Sequence, residues 1–81
     1  MYFVYVLQNT TGRFEIGISD DVRRRCSDDN SGKSRWTRDK GPWSIVWQSQ
    51  HMSLSDARKL GNRLKKQNRG DGFYKITGLN R

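Results

Sequence analysis

The sequence predicts an α/β (α+β) domain, a small and mainly antiparallel sheet of three strands flanked by helices. Three observations predict it: an apolar run opens the chain, an alternating run follows a Gly-bearing turn, and an amphipathic basic stretch fills the second half. The whole of 1–81 reads as a single domain, and a chain this short buries a thin core. Aromatic residues compensate. Three Trp, three Tyr and three Phe each bring a large apolar area to whatever core forms.

The first strand, Tyr2 to Leu7, is continuously apolar and rich in aromatic and β-branched residues, the pattern of a strand covered on both faces. A turn from Gln8 to Gly12 leads into a second strand from Arg13 to Ile18. There Phe14, Ile16 and Ile18 alternate with Arg13, Glu15 and Gly17. Period two therefore sets Glu15, the only glutamate in the chain, on the face opposite Phe14 and Ile16, together with a glycine that admits close approach.

Ser19 or Asp20 is positioned to cap a first helix with Asp21 in its first turn. Val22, Arg25, Cys26 and Asp29 share one face of it, so Arg25 is the arginine expected to turn inward. A polar loop follows, with Lys33, Arg35, Arg38 and Lys40 around Trp36. Trp43 to Gln48 reads as a third strand carrying Trp43, Ile45 and Trp47 on one face. "SLSD" at 53–56 has the spacing of a capping box. It should start a long helix with an apolar stripe of Leu54, Ala57, Leu60, Gly61 and Leu64 and a basic remainder. Gly61, costing about 1 kcal/mol relative to alanine inside a helix, needs a packing or functional reason. "NRGDGFY" is expected to end that helix at Gly70 and Gly72, leaving "FYKITGL" as an apolar tail that closes the sheet or covers the core.

Sixteen Lys and Arg against eight Asp and Glu give a formal charge of +8 and a pI near 10.3, a field that attracts polyanions. Nucleic acid is the expected partner, DNA in duplex, nicked or branched form. One cysteine excludes an internal disulfide, and His51 is the single histidine, so no Cys/His zinc spacing exists. "MYFVYVL" is too short for a bilayer and lacks a basic leader, so a cytoplasmic setting is expected.

These residues carry a resemblance. "FVYVLQN", "EIG", "DDVRRRC", "NSGK", "GPW" and "GFYKITGL", in this order, resemble the GIY-YIG endonuclease superfamily, in particular its small single-domain bacterial members. The resemblance implies a DNA endonuclease fold with one divalent ion, Mg²⁺ or Mn²⁺, held by a helix glutamate beside two strand tyrosines and a helix arginine. Each part serves phosphodiester hydrolysis: the metal stabilises charge, the arginine offers paired donors to the phosphate, and a tyrosine oxygen positions water.

Transferred residue by residue, the resemblance places Tyr5 on the first tyrosine and Arg25 on the arginine. Three positions depart from it. Glu15 stands where the second tyrosine falls, Asp29 where histidine is frequent, and Gly61 where the metal-binding glutamate falls. Two readings of catalysis follow: a degenerate site that binds DNA without cutting it, which is favoured, or an active nuclease in which Glu15 is a relocated metal carboxylate and Gly61 makes room for it. In either, Glu15 facing a phosphate groove should be paired with Arg25 or a metal. Nucleic-acid contacts are expected from Arg23, Arg24, Lys33, Arg35, Arg38 and Lys40, with Trp36 either stacking on a base or sugar or forming a lid over the thin core. The rival from a different class is a non-enzymatic protein-interaction module, and the oligomeric state stays open. Cys26 reads as a small core residue and His51 as a solvated turn residue.

Overall fold

The computed structural model describes residues 1–32, 41–67 and 70–79. Among the described residues, three strands and three helices follow in the order β1 (Phe3–Asn9), β2 (Phe14–Ser19), α1 (Val22–Asn30), β3 (Trp43–Gln48), α2 (Leu54–Gln67) and α3 (Asp71–Thr77). The sheet order is β2-β1-β3, with β1 antiparallel to both neighbours. Its apolar run is thereby explained, since a central strand is covered on both sides.

The β1–β2 hairpin is tied by one side chain. Asn9 Oδ1 accepts from the backbone N–H of Thr11 at 3.1 Å, from the Thr11 hydroxyl at 2.9 Å and from the N–H of Arg13 at 2.8 Å. Gly12 completes the turn at φ +88°, a conformation other residues rarely adopt. The register then sets Tyr5 opposite Gly17 and Leu7 opposite Glu15, so these four share one face of the sheet.

Two apolar clusters lie on the two faces. The larger joins Val4 and Val6 to Ala57 and Leu64 of α2 and to Phe73 of α3, with Phe14, Ile16 and Ile18 packed around them. The smaller joins Tyr5 and Leu7 to Val22 of α1 and Trp43 of β3, with Phe3 and Cys26 beside them. At roughly 1.5–3 kcal/mol per fully buried apolar side chain, most of the stabilisation resides with α2 and α3.

α1 starts one or two residues later than expected. Its N-cap is Asp21, whose Oδ1 accepts from the N–H of Arg24 at 3.1 Å, while Ser19 hydroxyl accepts from the N–H of Asp21 at 3.0 Å. The cap of α2 is as expected, with Ser53 Oγ accepting from the N–H of Asp56 at 3.1 Å.

Two expectations are corrected. Trp43, Ile45 and Trp47 do not share a face, because the β1–β3 register shifts between Val6 and Leu7: Leu7 lies opposite Ile45 but Val6 lies opposite Trp47. An extra residue in β3 inverts the alternation. Trp43 joins the smaller cluster, Ile45 is exposed, and Trp47 packs against the larger cluster. The second correction concerns "FYKITGL", most of which is α3. Gly72, expected to help end α2, is inside α3, which closes at Gly78 with φ +72°. The helix covers the core with Phe73, against which Phe14 and Tyr74 stack at ring-centroid distances of 5.2 Å. Among the described residues no helix is long and apolar enough to cross a membrane.

Candidate active site

The smaller cluster is where polar chemistry enters the fold. Tyr5 is buried on β1 with its ring laid over Gly17 of β2. A Cβ at Gly17 would lie 2.9 Å from Tyr5 Cε1 and closer still to the hydroxyl. Glycine at 17 is a steric condition for this tyrosine.

Arg25 reaches the same phenol from α1. Burial pushes the Tyr5 pKa up to about 12, against which the Arg25 charge and its donation towards the hydroxyl act, while the charges of Asp29 and Glu15 push it further up. At neutral pH Tyr5 is therefore a phenol. It can donate a hydrogen bond to a phosphate oxygen or orient a water, and it is a poor base. Tyr5, Glu15, Arg25 and Asp29 thus form one electrostatic neighbourhood, as the resemblance expects of those four positions.

The pairing inside it differs from expectation. Arg25 Nε lies 3.6 Å from Asp29 Oδ1 one helical turn on, and Asp29 has a side chain only 2% exposed where that of Arg25 is 50% exposed. Among the described residues Arg25 makes its ion pair with Asp29 and not with Glu15. The reason is geometric: residues four apart on a helix are neighbours, so Asp29 reaches the guanidinium without leaving α1. Glu15, half-buried, instead lines an open hollow of about 290 Å³ with Arg13, Phe14, Ile16 and Lys65.

Gly61 is not brought into this neighbourhood. It is buried on α2, and a Cβ there would meet Ile18 Cδ1 at 3.3 Å, a side chain of the larger cluster on the other face. The expectation that Gly61 makes room for Glu15 is corrected: Ile18 takes the room. A hard divalent ion is commonly held by one or two carboxylates together with substrate phosphates. Here position 61 offers no donor, Asp29 is committed to Arg25, and no three His, Cys, Asp or Glu side chains gather among the described residues. The residues present do not fit the metal arrangement that the resemblance implies.

Of the expected nucleic-acid contacts, Arg23 and Arg24 are exposed on α1, and Arg24 is bonded to Asp20 at 2.9 Å. Lys33, Arg35, Trp36, Arg38 and Lys40 lie outside the described residues. Cys26 is half-buried in the smaller cluster with its thiol pKa raised by burial and by Asp29, which agrees with a packing role. His51 is exposed, its ring edge-on to Phe3 at 6.4 Å.

One contributor was missed. The Asn30 amide accepts from the N–H of Trp43 at 2.6 Å and donates to its carbonyl at 2.9 Å, fixing the end of α1 to the start of β3. An asparagine in the last turn of a helix was the only sequence signal. It carried no hint of a partner 13 residues away.

Fold and site together define a nuclease-like α/β domain: an antiparallel three-stranded sheet whose central strand presents a buried tyrosine to an arginine on the first helix. A family model described as the GIY-YIG catalytic domain matches residues 1–74, and the chain belongs to that family. A UPF0213 protein of Aeromonas hydrophila is 38% identical over 69 residues, covering 84% of this chain and 51% of the relative. One from Streptococcus pneumoniae is 32% identical over 68 residues, covering 83% of this chain and 69% of the relative. The chain spans about half the length of the Aeromonas relatives it matches. The solution NMR structure of a UPF0213 protein from Bacillus halodurans is similar with a TM-score of 0.53 and 31% identity, over 85% of this chain and 76% of that one.

Proposed function

We propose that this domain binds DNA and is impaired in phosphodiester hydrolysis. The observation that carries the reading is the split between the two halves of the family's chemistry. Tyr5 and Arg25 stand together, a phenol and a guanidinium suited to phosphate oxygens, whereas the positions expected to hold the second tyrosine and the metal glutamate are Glu15 and Gly61. Phosphate recognition survives that loss better than bond cleavage does. A guanidinium binds an oxyanion unaided, but in-line displacement at neutral pH needs charge stabilisation on the leaving oxygen.

The test is cleavage of duplex, nicked and branched DNA with Mg²⁺ or Mn²⁺, alongside binding measured over a salt series. Binding with a steep salt dependence and no cleavage is the expected result. Metal-dependent cleavage that Glu15→Ala abolishes in a folded protein would instead establish Glu15 as a relocated carboxylate. A flat salt response would favour a protein-interaction module.

A further inference from the structure

α1 holds three consecutive arginines and is still not the cationic side of the molecule. With its two leading residues, α1 carries Arg23, Arg24 and Arg25 against Asp20, Asp21, Asp28 and Asp29, so its own carboxylates outnumber its cations. Two of those arginines are in ion pairs, Arg24 with Asp20 and Arg25 with Asp29. α2 is the opposite case. Arg58, Lys59, Arg63, Lys65 and Lys66 are all exposed, Asp56 is the single acidic residue of the helix, and none of the five is in an ion pair among the described residues.

We propose that the exposed face of α2 is a docking surface for the phosphate backbone of duplex DNA, on the side of the sheet opposite Tyr5 and Arg25. The proposal rests on the DNA-binding reading and adds to it where the binding energy comes from. At 3.6 residues per turn the five cations fall within an arc of about 160°, and the stripe from Arg58 to Lys66 is about 12 Å long. Duplex DNA carries one charge per about 1.7 Å of its axis with both strands counted, so a length matching the stripe holds about seven phosphates, of which the stripe meets those on its own side.

The chemistry of the face selects among polyanions. A helix lying on an anionic membrane sinks an apolar side into the lipid, but the apolar side of α2, with Ala57, Gly61 and Leu64, is already buried against the sheet. An acidic protein partner would be expected to meet an aromatic or apolar centre within a polar rim. The arc between Arg58 and Lys66 holds only Asn62 besides its cations and has no such centre. Two of the five have a carboxylate nearby: Lys65 lines the hollow that Glu15 also lines, and Asp56 precedes Lys59 by three residues on the same helix.

The experiment compares the whole chain with Lys59→Gln/Arg63→Gln/Lys66→Gln and with Arg25→Gln. Each is titrated against a short blunt duplex over a salt series, after circular dichroism has shown it folded. The triple variant should reduce the slope of log affinity against log salt by about 2.7, and Arg25→Gln by no more than about 1. A triple variant with the wild-type slope, or an Arg25→Gln variant that loses more of it than the triple variant does, would overturn the proposal while leaving DNA binding intact. If the wild type binds anionic vesicles and no duplex at any salt, this proposal and the reading beneath it fall together.

Discussion

The two faces of the sheet divide the work of the domain unequally. Behind α2 and α3, five buried apolar side chains meet with eleven partly buried ones around them. Under α1, four buried residues share their space with a tyrosine hydroxyl, an arginine and a nearly buried aspartate. Burying polar groups is tolerated only when they are paired, so the thin face cannot stabilise the fold as the thick one does. The difference teaches that the polar face holding Tyr5 and Arg25 is supported from behind by the apolar one.

Removing Phe73 should break the comparison most severely. Phe73→Ala empties the centre of the thick face and should cost about 3–5 kcal/mol, read as a large fall in the urea midpoint. Next comes alkaline pH on the thin face. Tyr5 has its folded pKa raised to about 12 from the ordinary phenol value of 10.0, so its contribution is fully present below pH 10 and is lost as pH rises towards 12. Wild type should lose about 2–3 kcal/mol more than Tyr5→Phe over that window, measured by denaturant unfolding. An identical decline in both proteins would contradict the buried phenol.

Gly17→Ala should cost about 1–3 kcal/mol, because its methyl meets the Tyr5 ring on a strand that cannot move without breaking its register. Arg25→Gln follows at about 1–2 kcal/mol, a value reduced because the guanidinium is half exposed. Denaturant unfolding of the folded variant reads this loss, and a midpoint equal to the wild type's would contradict the ion pair with Asp29. The smallest effect is on the second glycine. Gly61→Ala should stabilise by under about 1 kcal/mol, since its methyl need only nudge the flexible end of Ile18 to gain helix propensity.

What was legible in the sequence follows the same divide. Strand periodicity placed Glu15, Gly17 and Phe14 on their correct faces, and the apolar stripe of α2 was found with Gly61 in it, because these patterns are local and repeat. Trp47 was misplaced because one bulge inverts a period of two, and nothing nearby in sequence announces a bulge. α3 looks like a tail in the sequence because its seven residues, with Gly70 before them and Gly72 second, have little helical tendency alone; packing of Phe73 and Thr77 supplies what propensity does not. In the candidate site, Tyr5, Glu15, Arg25 and Asp29 come within electrostatic reach of one another, but the Arg25 partner and the neighbour of Gly61 depend on three-dimensional distances. Residue types alone do not rank them.

The Asn30 amide bears on assembly as well as on folding. β3 is an outer strand, and outer strands offer unsatisfied N–H and C=O groups to any stray chain. By holding both backbone groups of Trp43, Asn30 imitates the next strand for one residue. An incoming chain would have to evict that side chain before it could pair at the start of β3, so lateral polymerisation is discouraged there. Asparagine does this with two bonds and no added strand, and a molecule carrying Asn30→Ala should precipitate or self-associate more readily than the parent on gentle heating, as light scattering would record.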